Sequence, residues 1–261
     1  MNEQKGTHFM SDDFHLDQKT EIEKLAFILH GKENDVRYLT KLEPNEISDL
    51  RQRISGAMQG DNSDIWKRLA AVSKFMPNFI NAKVAQDILG PYITANLTYH
   101  IPVKEALHIS SFFPIVYMAD VSEYLIPEKA EPILREFPVE RMTLLTLEMI
   151  KREKFYTLGT YVDFLPKEKI DIISNQIKSE EHILKISKYV NKKERIAFVI
   201  ESYSDEKILK ILKVAYDLDY CEDLLEIIRY AKEEHKTRAL QLLDKSEPII
   251  KETYLRTVSK N

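Results

Sequence analysis

Ile126-Pro127-Glu128-Lys129-Ala130-Glu131-Pro132-Ile133-Leu134-Arg135-Glu136-Phe137-Pro138-Val139-Glu140 is the stretch whose reading decides the fold. A large apolar residue followed by proline opens it and another closes it. Between them lie a small alanine near the first turn and an Ile-Leu pair one turn further on. The same phrase recurs as Ile101-Pro102, Phe113-Pro114 and Leu165-Pro166, and most copies precede a segment that reads as a short amphipathic helix. Pro102 and Pro127 stand 25 residues apart, and Pro114 and Pro138 stand 24 apart. That is the period of a two-helix repeat. Proline has φ already set for a first helical position, while the residue before it is pushed out of helical geometry. Each phrase therefore stops one helix and starts the next, and its apolar partner plugs the junction.

Towards the C-terminus the rhythm continues without proline. Helices are predicted at Glu168–Lys178, Glu180–Val190, Lys192–Ser202, Asp205–Ala215, Tyr220–Ala231 and Glu233–Leu243, with Ser204 capping the one that begins at Asp205. Towards the N-terminus, Ile22, Leu25, Ala26 and Leu29 share one helical face, ended by Gly31. Ile47, Leu50, Ile54 and Ala57 form the next stripe, behind Pro44. Trp66, Leu69, Ala70 and Phe75 belong to a further helix, capped by Ser63 or Asp64, and Ala82, Ala85, Ile88 and Leu89 to another, closed by Gly90-Pro91. No segment shows sustained period-two alternation, so a sheet is not expected. The predicted fold is all-α, a superhelical stack of short antiparallel helix pairs. Residues 1–19 are polar and aperiodic and are read as a disordered tail, in which Phe9, Met10 and Phe14 form a short docking motif at most. Residues 20–261 form the repeat domain, with a subdivision expected at the Gly-, Asp- and Asn-bearing loop 56–63.

Composition narrows the function classes. Of 261 residues, 44% are apolar and 31% charged, a globular profile, and only six glycines suit helices better than tight turns. Thirty-eight basic against 42 acidic side chains give a net charge of −4, which does not favour nucleic acid or an anionic membrane surface. One cysteine forbids an internal disulfide, the first residues lack the apolar run of a signal peptide, and no stretch reaches bilayer length. A cytoplasmic protein without membrane insertion is expected.

Residues 126–140 resemble the helical repeat of the N-terminal domain of MgtE-type magnesium transporters, and the middle domain of the flagellar rotor switch protein has a related superhelical fold. The resemblance covers roughly residues 98–180. It implies a bacterial, cytoplasmic helical-repeat module; in the transporter this domain works in magnesium sensing with a CBS-domain pair and a membrane channel. This chain has no membrane helices and is too short to hold CBS domains as well. The rotor protein's Glu-His-Pro-Gln signature is absent, since Tyr99-His100-Ile101-Pro102 does not replace it. The resemblance therefore carries a fold and no functional residue.

No nucleophile elbow, phosphate-binding glycine loop, metalloprotease helix or paired CxxC is present. His100 and His108 lie eight residues apart across a proline, not at ligand spacing. Asp61-Asn62-Ser63-Asp64 lacks the glycine and terminal glutamate of a calcium loop. Asp120 and Glu123, three apart, share a helical face and are the candidates for holding a hydrated magnesium ion; the alternative is a pair of solvated acids. The basic cluster Lys192-Lys193-Glu194-Arg195 lacks the interleaved aromatics of a nucleic-acid groove. Cys221 reads as a packing residue. The aromatic-rich segment Phe155–Phe164 around Gly159, and Gly90–Ala95, are partner-site candidates through Tyr92, Tyr156 and Tyr161, though both also suit a solenoid core.

These features make the leading expectation a non-enzymatic adaptor that binds an unidentified protein through a helical-repeat surface, without a cofactor. A divalent-cation sensing module is the alternative, distinguished by metal-dependent stabilisation that needs Asp120 or Glu123. An enzyme with a site assembled from distant repeats is the third, distinguished by a deep polar cleft holding two titratable groups in contact.

Overall fold

A computed structural model describes residues 18–29, 31–60 and 63–260. The tail expectation with Phe9, Met10 and Phe14, the Asp61-Asn62 turn and the Ser63 side chain lie outside what it describes. Every regular element among the described residues is helical, and the chain divides into two compact units between Asp61 and Asn62. None of the described helices is long and apolar enough to cross a membrane.

The first unit holds α1 (Gln18–Ile28), the short α2 (Glu33–Val36), a 3₁₀ turn over Arg37–Lys41 and α3 (Pro44–Gly60). Ile22, Leu25, Ala26, Val36 and Ile47 form its core, as the helical spacing predicts. Leu29 departs from the predicted stripe, because α1 ends at Ile28 and leaves it exposed. Buried Glu21 accepts from Lys24 at 2.7 Å and from Arg51 at 3.1 Å, so α1 and α3 share a compensated charge. The loop expected at 56–63 is helical as far as Gly60, because α3 runs straight through Gly56.

The second unit is a stack of α4 (Ser63–Ser73), α5 (Asn78–Val84), α6 (Gly90–Thr98), α7 (Val103–Ser110), α8 (Ile115–Ser122), α9 (Pro127–Glu136), α10 (Val139–Lys151), α11 (Phe155–Val162), α12 (Lys167–Ser174), α13 (Glu180–Lys188), α14 (Lys193–Glu201), α15 (Asp205–Asp217), α16 (Cys221–Arg229), α17 (Glu233–Leu243) and α18 (Pro248–Lys260). Each helix packs on the second one along, α7 on α9, α8 on α10 and so on to α16 on α18. Even-numbered and odd-numbered helices therefore form two layers, a stacked helical repeat.

The proline phrases sit at the junctions, one position earlier than predicted in most cases. Pro77, Pro102, Pro114, Pro138 and Pro166 are N-cap residues with ψ of 131–146°, outside helical geometry. The carbonyls of Pro102, Pro114 and Pro138 accept the first helical bonds, from Ala106, Met118 and Met142, at 2.9–3.0 Å. Pro91 and Pro127 occupy the first turn itself, as do Pro44 and Pro248, which open α3 and α18. Phe113, Phe137 and Leu165, the residues before three of these prolines, are buried in the core. The chain leaves α5 through a π-helical turn over Ala85–Leu89, and Gly90 redirects it at φ 75° and ψ 173°.

Polar side chains bind the layers in a repeating way. Three residues after the N-cap of every even helix from α8 to α14 stands a donor, respectively Tyr117, Arg141, Lys169 and Arg195. Each reaches carbonyls at or just beyond the C-terminal end of the helix three before it. Tyr117 donates to Ala85 O at 2.6 Å, Arg141 to Phe113 O at 2.8 Å, Lys169 to Arg135 O and Phe137 O at 2.6 Å, and Arg195 to Leu165 O. These groups satisfy carbonyls that a helix end leaves unpaired, and the three cations also complement its negative dipole end. In the other direction, buried Asp163 at the end of α11 accepts from the backbone N–H of Lys192 (2.9 Å) and from the Asn191 side chain (2.8 Å), at the start of α14. Burial raises the Asp163 pKa, against the lowering effect of those same donors.

Cys221 is buried where α16 begins, beside Tyr254 of α18, and burial raises its thiol pKa. Iodoacetamide at about pH 8 should therefore label it at least about a hundredfold more slowly in native protein than in denaturant. Equal rates would show that the α16–α18 contact opens freely.

Candidate functional site: an open apolar end and the cavity beneath it

The residues expected to carry function do not come together. Tyr161 is 2% exposed, and its hydroxyl donates to Ser122 O at 2.7 Å, so it belongs to the core rather than to a partner surface. Burial pushes its pKa well above the ordinary value. Tyr156 is half-buried and meets Tyr189 edge to face at 5.6 Å, inside the α11–α13 contact. Tyr92 is 38% exposed and meets Tyr124 in the same way at 5.7 Å.

Asp120 pairs with Arg152 at 2.7 Å and Glu123 with Lys154 at 2.8 Å. Each proposed magnesium ligand thus faces a cation at the far end of α10, which repels a second positive charge. No group of three or more His, Cys, Asp or Glu is placed to hold a metal among the described residues. His100 and His108 are also apart: His108 meets Asn78 at 3.0 Å and stacks on Phe112. The basic run 192–195 is structural. Lys193 is buried against Ser187 O at 3.0 Å, Lys192 helps to fix Asp163, and Arg195 caps α11.

What the structure does gather is apolar. Ile65, Leu69 and Val72 of α4, Phe75 in the turn after it, Phe79 and Ile80 of α5 and Ile88 of the π turn are all exposed. Phe75 is 88% exposed and Ile88 75%. The sequence groups Leu69 and Phe75 with Trp66 and Ala70, and Ile88 with Ala82; in the structure Leu69, Phe75 and Ile88 are exposed whereas Trp66, Ala70 and Ala82 are buried. Phase explains Leu69, since α4 commits Trp66 and Ala70 to the buried cluster with Leu97 and leaves Leu69 at the margin of that face. For Ile88 the reason is the π turn, which advances the helix face by an extra residue.

Behind this surface lies a cavity of about 240 Å³, with walls supplied by α4 to α11. Leu69 and Val72 stand at its edge, and Leu97, Ile109, Phe113 and Met118 lie deeper. The polar groups on its wall are engaged. Thr94 donates to Gly90 O at 2.8 Å and meets the Tyr117 hydroxyl, Ser110 donates to Leu107 O, Ser122 to Met118 O, and Asn81 to Ser73 O. No sequence pattern announces such a space, because it depends on side-chain volumes from eight helices. The donor three residues after each N-cap, in contrast, has a readable signal in Pro138-Val139-Glu140-Arg141 and Pro166-Lys167-Glu168-Lys169.

Comparison with family models, with curated proteins and with solved structures returns no match, and the chain stands as an all-helical protein of sequentially packed helices with no family identified.

Proposed function

We propose that the protein is a non-enzymatic scaffold that binds an acidic amphipathic helix of another protein across the open end formed by α4 and α5. One observation carries this reading: the exposed apolar group Ile65, Leu69, Val72, Phe75, Phe79, Ile80 and Ile88. Scattered apolar residues on a surface are ordinary, but Ile65, Leu69 and Val72, four and three residues apart, form one exposed stripe along α4 of the kind that marks an interaction site. Within the second unit an interior helix is covered by helices two before and two after it, whereas α4 and α5 have neighbours on one side only. A partner helix supplies the kind of surface that the missing neighbour would. Across residues 64–88, Lys67, Arg68, Lys74 and Lys83 outnumber Asp64 and Asp87, which favours acidic flanks on that helix. Tyr92 lies beside this end and serves as a rim contact; Tyr161 and Tyr156 do not take part. The resemblance of residues 98–180 to the magnesium-transporter repeat agrees with this reading at the level of architecture. We place the protein in the bacterial cytoplasm on that same resemblance and on its single, buried cysteine.

The test is site-specific photo-crosslinking in source cells, with the crosslinker at position 75, 79 or 172. Ile172 is exposed on α12, far along the chain from the proposed surface. A single protein bearing an acidic amphipathic helix should crosslink at 75 and 79 and not at 172. Phe75→Asp/Phe79→Asp should weaken its binding at least about thirtyfold, the scale of one lost hot-spot anchor. Equal crosslinking at all three positions would overturn the proposal. So would a partner consisting only of a second copy, seen as a dimer by light scattering.

A further inference from the structure

We infer that the cavity beneath α4 holds the hydrocarbon chain of a free fatty acid, with the carboxylate at the end marked by Lys67, His100 and Lys129. Three observations carry this. The first is space: about 240 Å³ exceeds the roughly 150 Å³ apolar cavity that admits benzene, and suits a chain of about eight to twelve carbons. Left without a ligand, an apolar space of this size forfeits van der Waals contacts along its walls, so filling it with hydrocarbon is favourable.

The second is the chemistry of the wall. Tyr161 is the one ionisable side chain that lines the cavity, and its hydroxyl is already donated to Ser122 O. The hydroxyls of Thr94, Ser110 and Ser122 and the amide of Asn81 are likewise committed within the protein. Water needs two to four polar partners, which such a wall does not offer, and a polar ligand body would lose its own hydrogen bonds on entering. An alkyl chain meets neither obstacle.

The third is charge at one end. Ile101 lines the cavity and also packs on the Trp66 cluster. Next to it, His100 has its pKa lowered by partial burial and by the fields of Lys67 and Lys129. Lys129 also stands over the Tyr99 ring at 5.8 Å. Lys129 of α9 therefore stands by the residue before His100, and Lys67 of α4, itself 3.5 Å from Asp64, adds positive field there, a complement to an anionic head group.

Trp66 is the only tryptophan and packs on Leu97, itself a wall residue, so its fluorescence reports on occupancy. Full-length protein is titrated with sodium decanoate, sodium octanoate and decan-1-ol, each below the concentration at which it self-associates. Decanoate should change Trp66 emission saturably. Octanoate, two methylenes shorter, should bind about fifteenfold more weakly. Ala106→Phe, which fills the cavity, should weaken decanoate at least tenfold; Val84→Phe fills it from another helix should the first variant not fold. Lys67→Glu/Lys129→Glu should weaken decanoate about tenfold and leave decan-1-ol unchanged. The inference is overturned by the absence of saturable binding, by binding indifferent to both filling substitutions, or by equal affinities for decanoate and decan-1-ol. Lys67 belongs to both proposals, but the titration uses the isolated protein with no partner present, so its outcome is separate from that of the crosslinking test.

Discussion

Gly159→Ala is expected to destabilise the protein by about 2 kcal/mol, the result of an overpacking cost of about 3 kcal/mol against a helix-propensity gain of about 1 kcal/mol. A Cβ on Gly159 would lie 2.6 Å from Tyr189 Cβ, 2.7 Å from Ile186 O and 2.9 Å from Tyr189 C. Two of those atoms are backbone and cannot rotate aside, so α11 and α13 would have to separate. Gly56→Ala is the control. That glycine also sits inside a helix, α3, but a Cβ there meets nothing within 4 Å. The same substitution should then stabilise by up to about 1 kcal/mol. Urea unfolding followed by circular dichroism measures both. A neutral or stabilising Gly159→Ala would mean that the α11–α13 approach is looser than described.

Tyr161→Ala is expected to cost about 4 kcal/mol, as for a large aromatic removed from a core. Tyr161 forms part of the wall of both the 240 Å³ cavity and a second one of about 60 Å³ between α10 and α14. Truncating the ring would join the two spaces and leave a void that the surrounding helices cannot fully close. Tyr161→Phe separates the contributions, since it keeps the ring and removes only the bond to Ser122 O, at a cost of about 1 kcal/mol. The pair is read by urea unfolding together with amide exchange in α8 and α11. A Tyr161→Ala protein within about 1 kcal/mol of wild type would contradict a packing role.

Tyr161 also shows where sequence reading stops. The aromatic density of Phe155–Phe164 was legible, but nothing local says which ring faces out, because burial is decided by helices α8 and α10. The same holds for Asp120 and Glu123. Their shared face follows from their spacing, whereas Arg152 and Lys154, which neutralise them, lie about thirty residues downstream. Proline junctions and the all-helical stack were readable because φ restriction and helical periodicity are local properties. Predicted helices such as Glu233–Leu243 match to the residue, and others differ by a few positions at their ends. The open apolar end is not legible in the sequence for a different reason. Leu69, Phe75 and Ile88 have the composition of a core, and only the register imposed by Trp66 and the π turn turns them outward.

The donors that tie each even helix to the one three before it constrain how such a chain can change length. Tyr117, Arg141, Lys169 and Arg195 all reach from the even layer to the odd layer. Insertion or loss of a single helix would exchange the layers for everything downstream, and each donor separated by that point from the helix end it caps would be left in the same layer as that helix. A helix pair, carrying its own proline junction and its own donor, keeps the phase. Lengthening or shortening of this stack during evolution, or in the laboratory, is therefore expected to proceed by whole pairs, with the helix pair rather than the single helix as the heritable unit.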